Sequence, residues 1–283
     1  MLKHLWPLTV FVAAMITFLA GCGPTTQPKG PGPEAPEHPA HSRPLDLELF
    51  PGDGKMMVQW RVAGSEIISG FDIYVSEHPV TAAEAGAASS SVKPFNSEVY
   101  PGDTNPEDSL EQYRAENLQP GLKYFVWVRI VRPDGTLSEP SEVLTAICGP
   151  RGEFDLGPRY QSENDGYSFE KKKNVHADAS DNDLFYFNKD GIDYLASPTR
   201  LNGYLRSTKL LLLPLKGTFD QVRRQVAKLG AASSGDRIAI TDGDWILAVT
   251  AEGNNALVHV ISLKGKEARL FFALCPVPGE MLF

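Results

Sequence analysis

LQPGLKYFVWVRIV occupies residues 118–131. From Tyr124 onward two sets of side chains alternate: Tyr124, Val126, Val128 and Ile130 against Phe125, Trp127, Arg129 and Val131. A period of two belongs to a β-strand, whose successive side chains leave on opposite faces. Aromatic and β-branched residues suit that pleated surface. Pro120-Gly121 precedes the run and Pro133-Asp134-Gly135 follows it, so turn chemistry bounds it on both sides.

The same pattern extends outward. LDLELF (45–50) alternates, Pro51 to Gly54 forms a turn, and KMMVQWRV (55–62) alternates again. GFDIYVS (70–76) separates Phe71, Ile73 and Val75 from Asp72, Tyr74 and Ser76, and SEPSEVLTAI (138–147) closes the set. The chain of 283 residues is long enough for two domains. Its 25 glycines and 22 prolines often punctuate short apolar runs, which favours an all-β architecture over helical bundles. The hydrophobic fraction of 42% is that of a globular protein. A net charge of -8, with no long basic stripe, argues against nucleic acid as a partner, because that affinity comes mainly from neutralising phosphates.

Trp60, the corner Leu118-Gln119-Pro120-Gly121-Leu122-Lys123-Tyr124, and Ser138-Glu139-Pro140-Ser141 together resemble a fibronectin type III domain over residues 45–148. The resemblance implies a β-sandwich in which Tyr124 fixes a crossover between sheets through its hydroxyl. Residues 79–110, with the tract AAEAGAASSS, depart from that pattern and read as a partly helical surface insertion. Phe125 and Trp127 read as faces of a packed strand rather than as an exposed aromatic patch.

The N-terminus carries an address. Lys3 and His4 precede LTVFVAAMITFLA (8–20), an uncharged apolar run too short to span a bilayer and of signal-peptide length. Leu19-Ala20-Gly21-Cys22 resembles the lipobox of bacterial lipoproteins. That resemblance implies cleavage after residue 21 and acylation of Cys22 with palmitate-type chains, since two or three acyl chains anchor stably where one is reversible. Gly23 after the cysteine resembles the outer-membrane sorting pattern of enteric bacteria. The implied location is the cell envelope, with the membrane as a partner through the lipid. Residues 22–44 hold the prolines and lack the apolar side chains of a core, so they read as a semi-extended tether reaching roughly 70 Å at ~3.1 Å per residue. His38 and His41 within it read as solvated polar residues.

Residues 150–283 read as a second β-rich domain of unknown function with one short helix. LFYFN (184–188) and residues 192–196 form a hairpin about Lys189-Asp190-Gly191, and LLLLPL (210–215) is an edge strand ended by Pro214. Thr218 with Gln221 makes a capping box, Val222, Val226 and Leu229 make an apolar stripe, and Gly230 stops the helix. Residues 238–241, 244–250, 257–263 and 268–275 read as a meander. GDWILAVTAEGNNALVHVISL (243–263) resembles the terminal hairpins of small β domains in bacterial surface lipoproteins, haem-binding ones among them. A haem would require His176 and His259 as ligands, but His259 alternates with Leu257 and Ile261 as a core residue does.

Chemistry is sparse. Asp178, Asp181 and Asp183 place three carboxylates within six residues and are the weak metal candidates, but they lack the glycine and distal glutamate of an EF-hand loop. An acidic turn before a strand explains them as well. No G-x-S-x-G, H-E-x-x-H or P-loop motif occurs, so no catalytic residue is assigned and no cofactor is implied. With Cys22 acylated, Cys148 and Cys275 remain as an even pair in an oxidising compartment. Their positions suggest a disulfide closing the second domain at both ends, a loop worth roughly 4–5 kcal/mol. The expectation is a lipid-anchored, non-enzymatic binding or assembly module that meets an envelope protein or a glycan. A carbohydrate-binding or adhesion protein and a hydrolase or hydrolase accessory are the alternatives.

Overall fold

The computed structural model describes residues 43–63, 67–87, 91–102, 109–159, 163–229 and 234–283. The apolar run read as a signal sequence, Cys22, nearly all of the stretch read as a tether, residues 88–90 and 103–108 of the insertion and the expected helix stop at Gly230 lie outside them. The described residues fall in one compact unit, His41–Phe283. The fold is all-β, with two successive sandwiches. Among the described residues no helix is long and apolar enough to cross a membrane.

The first sandwich comprises β1 (Leu45–Pro51), β2 (Lys55–Arg61), β3 (Gly70–Ser76), the short helix α1 (Ala82–Gly86), β4 (Leu110–Glu116), β5 (Lys123–Val131) and β6 (Leu144–Ile147). The sheet β1-β2-β4 faces the sheet β3-β5-β6, all pairs antiparallel. The alternation of β5 decides what each face meets. Tyr124, Val126, Val128 and Ile130 enter the core with Met56, Val58 and Trp60 of β2. On the opposite face Trp127 is fully buried, stacked on Tyr74 at 4.8 Å beneath Ala85 of α1. The insertion between β3 and β4 therefore covers an apolar face that a three-stranded sheet leaves open.

The closing segment is shorter as a strand than its sequence pattern suggests, because Pro140 has no N–H to give a ladder. Serine hydroxyls stand in: Ser138 Oγ accepts from Ile130 N at 2.9 Å and Ser141 Oγ from Val128 N at 3.0 Å. Buried Arg129 donates Nε to the Ser138 carbonyl at 2.8 Å.

The second sandwich comprises β7 (Arg151–Leu156), β8 (Gly166–Ser168), β9 (Lys173–Val175), β10 (Leu184–Lys189), β11 (Ile192–Ala196), a 3-10 turn (Pro198–Arg200), β12 (Lys209–Leu213), α2 (Phe219–Val226), β13 (Arg237–Ala239), β14 (Trp245–Val249), β15 (Asn255–Lys264) and β16 (Glu267–Cys275). Two five-stranded sheets, β12-β14-β15-β16-β7 and β13-β11-β10-β8-β9, enclose a core that includes Tyr186, Leu195, Ile246, Val258 and Phe272. The meander is confined to β14, β15 and β16. β13 crosses to the other sheet and pairs with β11, since a period of two specifies a strand and not its partner.

α2 begins where the capping box places it: Thr218 Oγ1 accepts from Gln221 N, and Gln221 Oε1 accepts from Thr218 N at 2.9 Å. Its Val222 and Val226 cover the outer face of the β14-β15-β16 sheet, against Trp245, Leu247, Leu257 and Ala273. Ile147 of the first sandwich joins this same cluster, as do Met281 and Phe283. The two sandwiches thus share apolar packing across the linker.

Candidate functional site

Among the described residues, the alternation of β10 builds the most site-like surface. Leu184 and Tyr186 point into the second core, which leaves Phe185, Phe187 and Lys189 on the outer face. Register extends that face sideways: Phe187 opposes Tyr194, Tyr194 opposes Ala239, Phe185 opposes Ala196, and Ala196 opposes Arg237. Phe185 and Phe187 stack at 5.7 Å between centroids, and Phe187 and Tyr194 at 5.0 Å with only 13° between planes. The Arg237 guanidinium lies 5.0 Å over the Tyr194 ring. Planar guanidinium stacks well on an aromatic face, which holds its N–H fork in place.

These residues border a cavity of about 320 Å³ lined by Arg159, Phe185, Phe187, Lys189, Arg200 and Arg237, with Asn188 and Leu201 completing it. Among the described residues the lining contains four cations and no carboxylate. Arg159 is held by Asp165 at 2.9 Å and by Asp178 at 3.7 Å. Arg200 reaches Asp236 at 3.4 Å. Among the described residues, Lys189 and Arg237 have no carboxylate within ion-pair distance. The volume lies at the lower end of the range for small-molecule pockets.

The three candidate metal ligands do not converge. Asp183 is buried and accepts from Phe169 N and Arg206 Nη2, both at 2.8 Å. Burial raises its carboxyl above the ordinary value, against the opposing pull of those two donors. Asp181 turns to Lys171 at 2.8 Å and Asp178 to Arg159. Each carboxylate pairs with a different cation, and these pairs hold the chain before β10. Among the described residues no cluster of three or more potential ligands forms. Asp165, fully buried and bonded to Ala177 N at 2.7 Å and to Arg159, belongs to the same arrangement.

Cys148 and Cys275 are both buried free thiols, contrary to the pairing suggested by their positions. Ile147 faces the cluster beneath α2, so the next residue, Cys148, faces the other way, into the first core, where its Sγ donates to the Lys55 carbonyl at 3.3 Å. Cys275 packs in the cluster beneath α2. Strand alternation thus directs the two sulfurs into different cores. Burial raises both thiols above their ordinary value.

His176 and His259 stand apart. His176 is exposed after β9, while His259 is half-buried on β15 and stacks on Trp245 at 4.2 Å. Burial, and then the Lys216 charge, lower the imidazole's pKa. Tyr124 is buried, and its hydroxyl accepts from Gln119 N at 2.7 Å, five residues back across the corner.

A second concavity, of about 270 Å³, lies at the joint between the sandwiches. Arg223 is the charged residue in its lining, and it is already engaged by Asp220 at 2.7 Å and by the Phe50 ring at 4.9 Å. The cavity on the β10–β11 face is the stronger candidate. Its phenylalanines were visible in LFYFNK as a strand apolar on both sides, but its arginines come from positions 159, 200 and 237, which no local pattern connects.

No family model matches the chain, and no curated protein matches it. Among solved structures, one titled "Myokine structure" is 19% identical over 38% of this chain and 97% of its own, with a TM-score of 0.28. The human OSCAR ligand-binding domain is 12% identical over 82% of this chain and 95% of its own, at 0.26. An alpha-L-rhamnosidase from Dictyoglumus thermophilum is 12% identical over 81% of this chain and 24% of its own, at 0.27. Superpositions at these scores carry no argument about fold or function.

Proposed function

We propose that this chain is an exported, lipid-anchored binding protein that holds a small ligand on the β10–β11 face without transforming it. The observation that carries this reading is the lining of that cavity: among the described residues it is aromatic and cationic side chains with Asn188 and Leu201, and holds no carboxylate, histidine, serine or cysteine. Such a lining is suited to attracting and orienting a ligand, and apart from the amine of Lys189 it lacks the groups that most often serve as general base or nucleophile. Anchorage rests on Leu19-Ala20-Gly21-Cys22 and the apolar run before it, and the proline-rich residues 22–44 hold the sandwiches away from the membrane. The first sandwich, with its Tyr124 corner, serves as a spacer in this scheme.

Cys22→Ala tests the anchor. The wild-type protein is expected in the membrane fraction carrying acyl chains detectable by mass spectrometry. The variant is expected to keep its uncleaved signal sequence and to carry no acyl chains. Unchanged acylation and processing in the variant rules the anchor out.

A further inference from the structure

Building on the ligand-site reading above, we infer that the β10–β11 cavity takes a single carboxylate borne on a six-membered sugar ring, that is, a hexuronate unit of an acidic glycan. Three features of the cavity select this chemistry.

The first is charge. On a chain of net charge -8, four cations converge on one cavity with no acid in its lining. Among the described residues, Asp165 and Asp178 pair with Arg159 and Asp236 with Arg200, while Lys189 and Arg237 meet no carboxylate within ion-pair distance. That balance suits a monoanion.

The second is the form of the available donor. Arg237 places its guanidinium 5.0 Å over the Tyr194 ring, and a guanidinium is a planar fork that binds carboxylate through two parallel N–H···O bonds. Lys189, on the same face and one register step beyond Phe187 and Tyr194, adds a mobile ammonium.

The third is the wall. Phe185, Phe187 and Leu201 are apolar, so the body that carries the carboxylate must present an apolar face to them. A pyranose does so with its axial C–H groups, leaving its hydroxyls to face water. The volume of about 320 Å³ accommodates about one such ring, so longer chains would run out along the exposed sheet face. An arene carboxylate shares the chemistry and is distinguished by experiment.

Titration calorimetry on the full-length, detergent-solubilised protein tests the inference with trigalacturonate, galactotriose, benzoate and inorganic phosphate. Trigalacturonate is expected to bind, with galactotriose at least about tenfold weaker for want of the charge-assisted bonds. Arg237→Gln and Phe187→Ala are each expected to weaken trigalacturonate at least about tenfold. Arg237 is exposed, so its variant is expected to melt with the wild type, which separates lost binding from lost folding. Added salt is expected to weaken binding.

Equal affinity for galactotriose, or for phosphate, overturns the uronate assignment. Binding of benzoate alone overturns the sugar as its source. Trigalacturonate binding that survives both substitutions places the sugar elsewhere and overturns the cavity as the ligand site. No binding of trigalacturonate overturns the ligand class, while anchorage is judged separately from the acylation of Cys22.

Discussion

At the residue scale, environment decides what each chemically capable side chain does. Asp183 shows this most clearly: a carboxylate that looks like a metal ligand in sequence is buried, bonded to a backbone N–H and paired with Arg206. His259 is the residue whose charge state should be legible in solution. Burial against Trp245 and the Lys216 charge favour the neutral imidazole, so its folded pKa lies below the unfolded value of about 6.5. Its contribution to stability is therefore complete above about pH 6.5 and is lost as pH falls through the lower folded value, where the unfolded chain binds the extra proton first. In His259→Phe, which keeps an aromatic ring beside Trp245, thermal melts between pH 7 and pH 5 should show a shallower decline than the wild type. Parallel declines in the two proteins would contradict this account.

At the element scale, one helix does a job that no strand does. α2 covers the outer face of the β14-β15-β16 sheet with Val222 and Val226, and its start depends on the reciprocal pair Thr218 and Gln221. Thr218→Ala removes one acceptor for an otherwise orphaned N–H and is expected to cost about 1 kcal/mol. In a chain of this size that corresponds to roughly 2–4 °C in the melting temperature. A differential scanning calorimetry trace superimposable on the wild type would show that packing alone holds the helix. β5 is the opposite case: buried on both faces, it owes its boundaries to Pro120-Gly121 and Pro133-Asp134-Gly135, and its unpaired edge is completed by Ser138 and Ser141. Its alternation was legible in the sequence, but the serine substitution for a ladder was not, because nothing local marks Ser138 and Ser141 as partners of β5.

At the scale of the whole molecule, the joint between the sandwiches is built tightly. Ile147 reaches under α2, Lys123 pairs with Glu280 at 2.6 Å, Arg224 with Glu48 at 2.8 Å, and Lys172 with Asp53. The linker backbone bonds on both sides, from Gly149 N to the Gly52 carbonyl at 3.1 Å and from Leu274 N to the Pro150 carbonyl at 2.8 Å. Gly149 sits where no side chain fits: a Cβ would stand 2.0 Å from the Leu274 carbonyl oxygen and 2.8 Å from Pro276 Cδ. Gly149→Ala is expected to force the linker away from β16 and to lower stability by about 1–3 kcal/mol, read from urea unfolding. An unchanged midpoint would mean that the joint yields without cost.

What the sequence determined by itself was whatever lies within a few residues. Alternation announced β1, β2, β3 and β5, an apolar run and a turn announced the β10–β11 hairpin, the capping box announced α2, and turn residues set their limits. The brief strands β8 and β9, at three residues each, carry too few alternations to read, and β4 was hidden behind a long insertion. Three-dimensional packing settled which sheet each strand joined, that Cys148 and Cys275 face different cores, and that Arg159, Arg200 and Arg237 line one cavity with Phe187. The reason is range. Periodicity and capping are properties of neighbours along the chain, whereas pairing and convergence are settled by the burial of apolar faces between segments far apart in sequence.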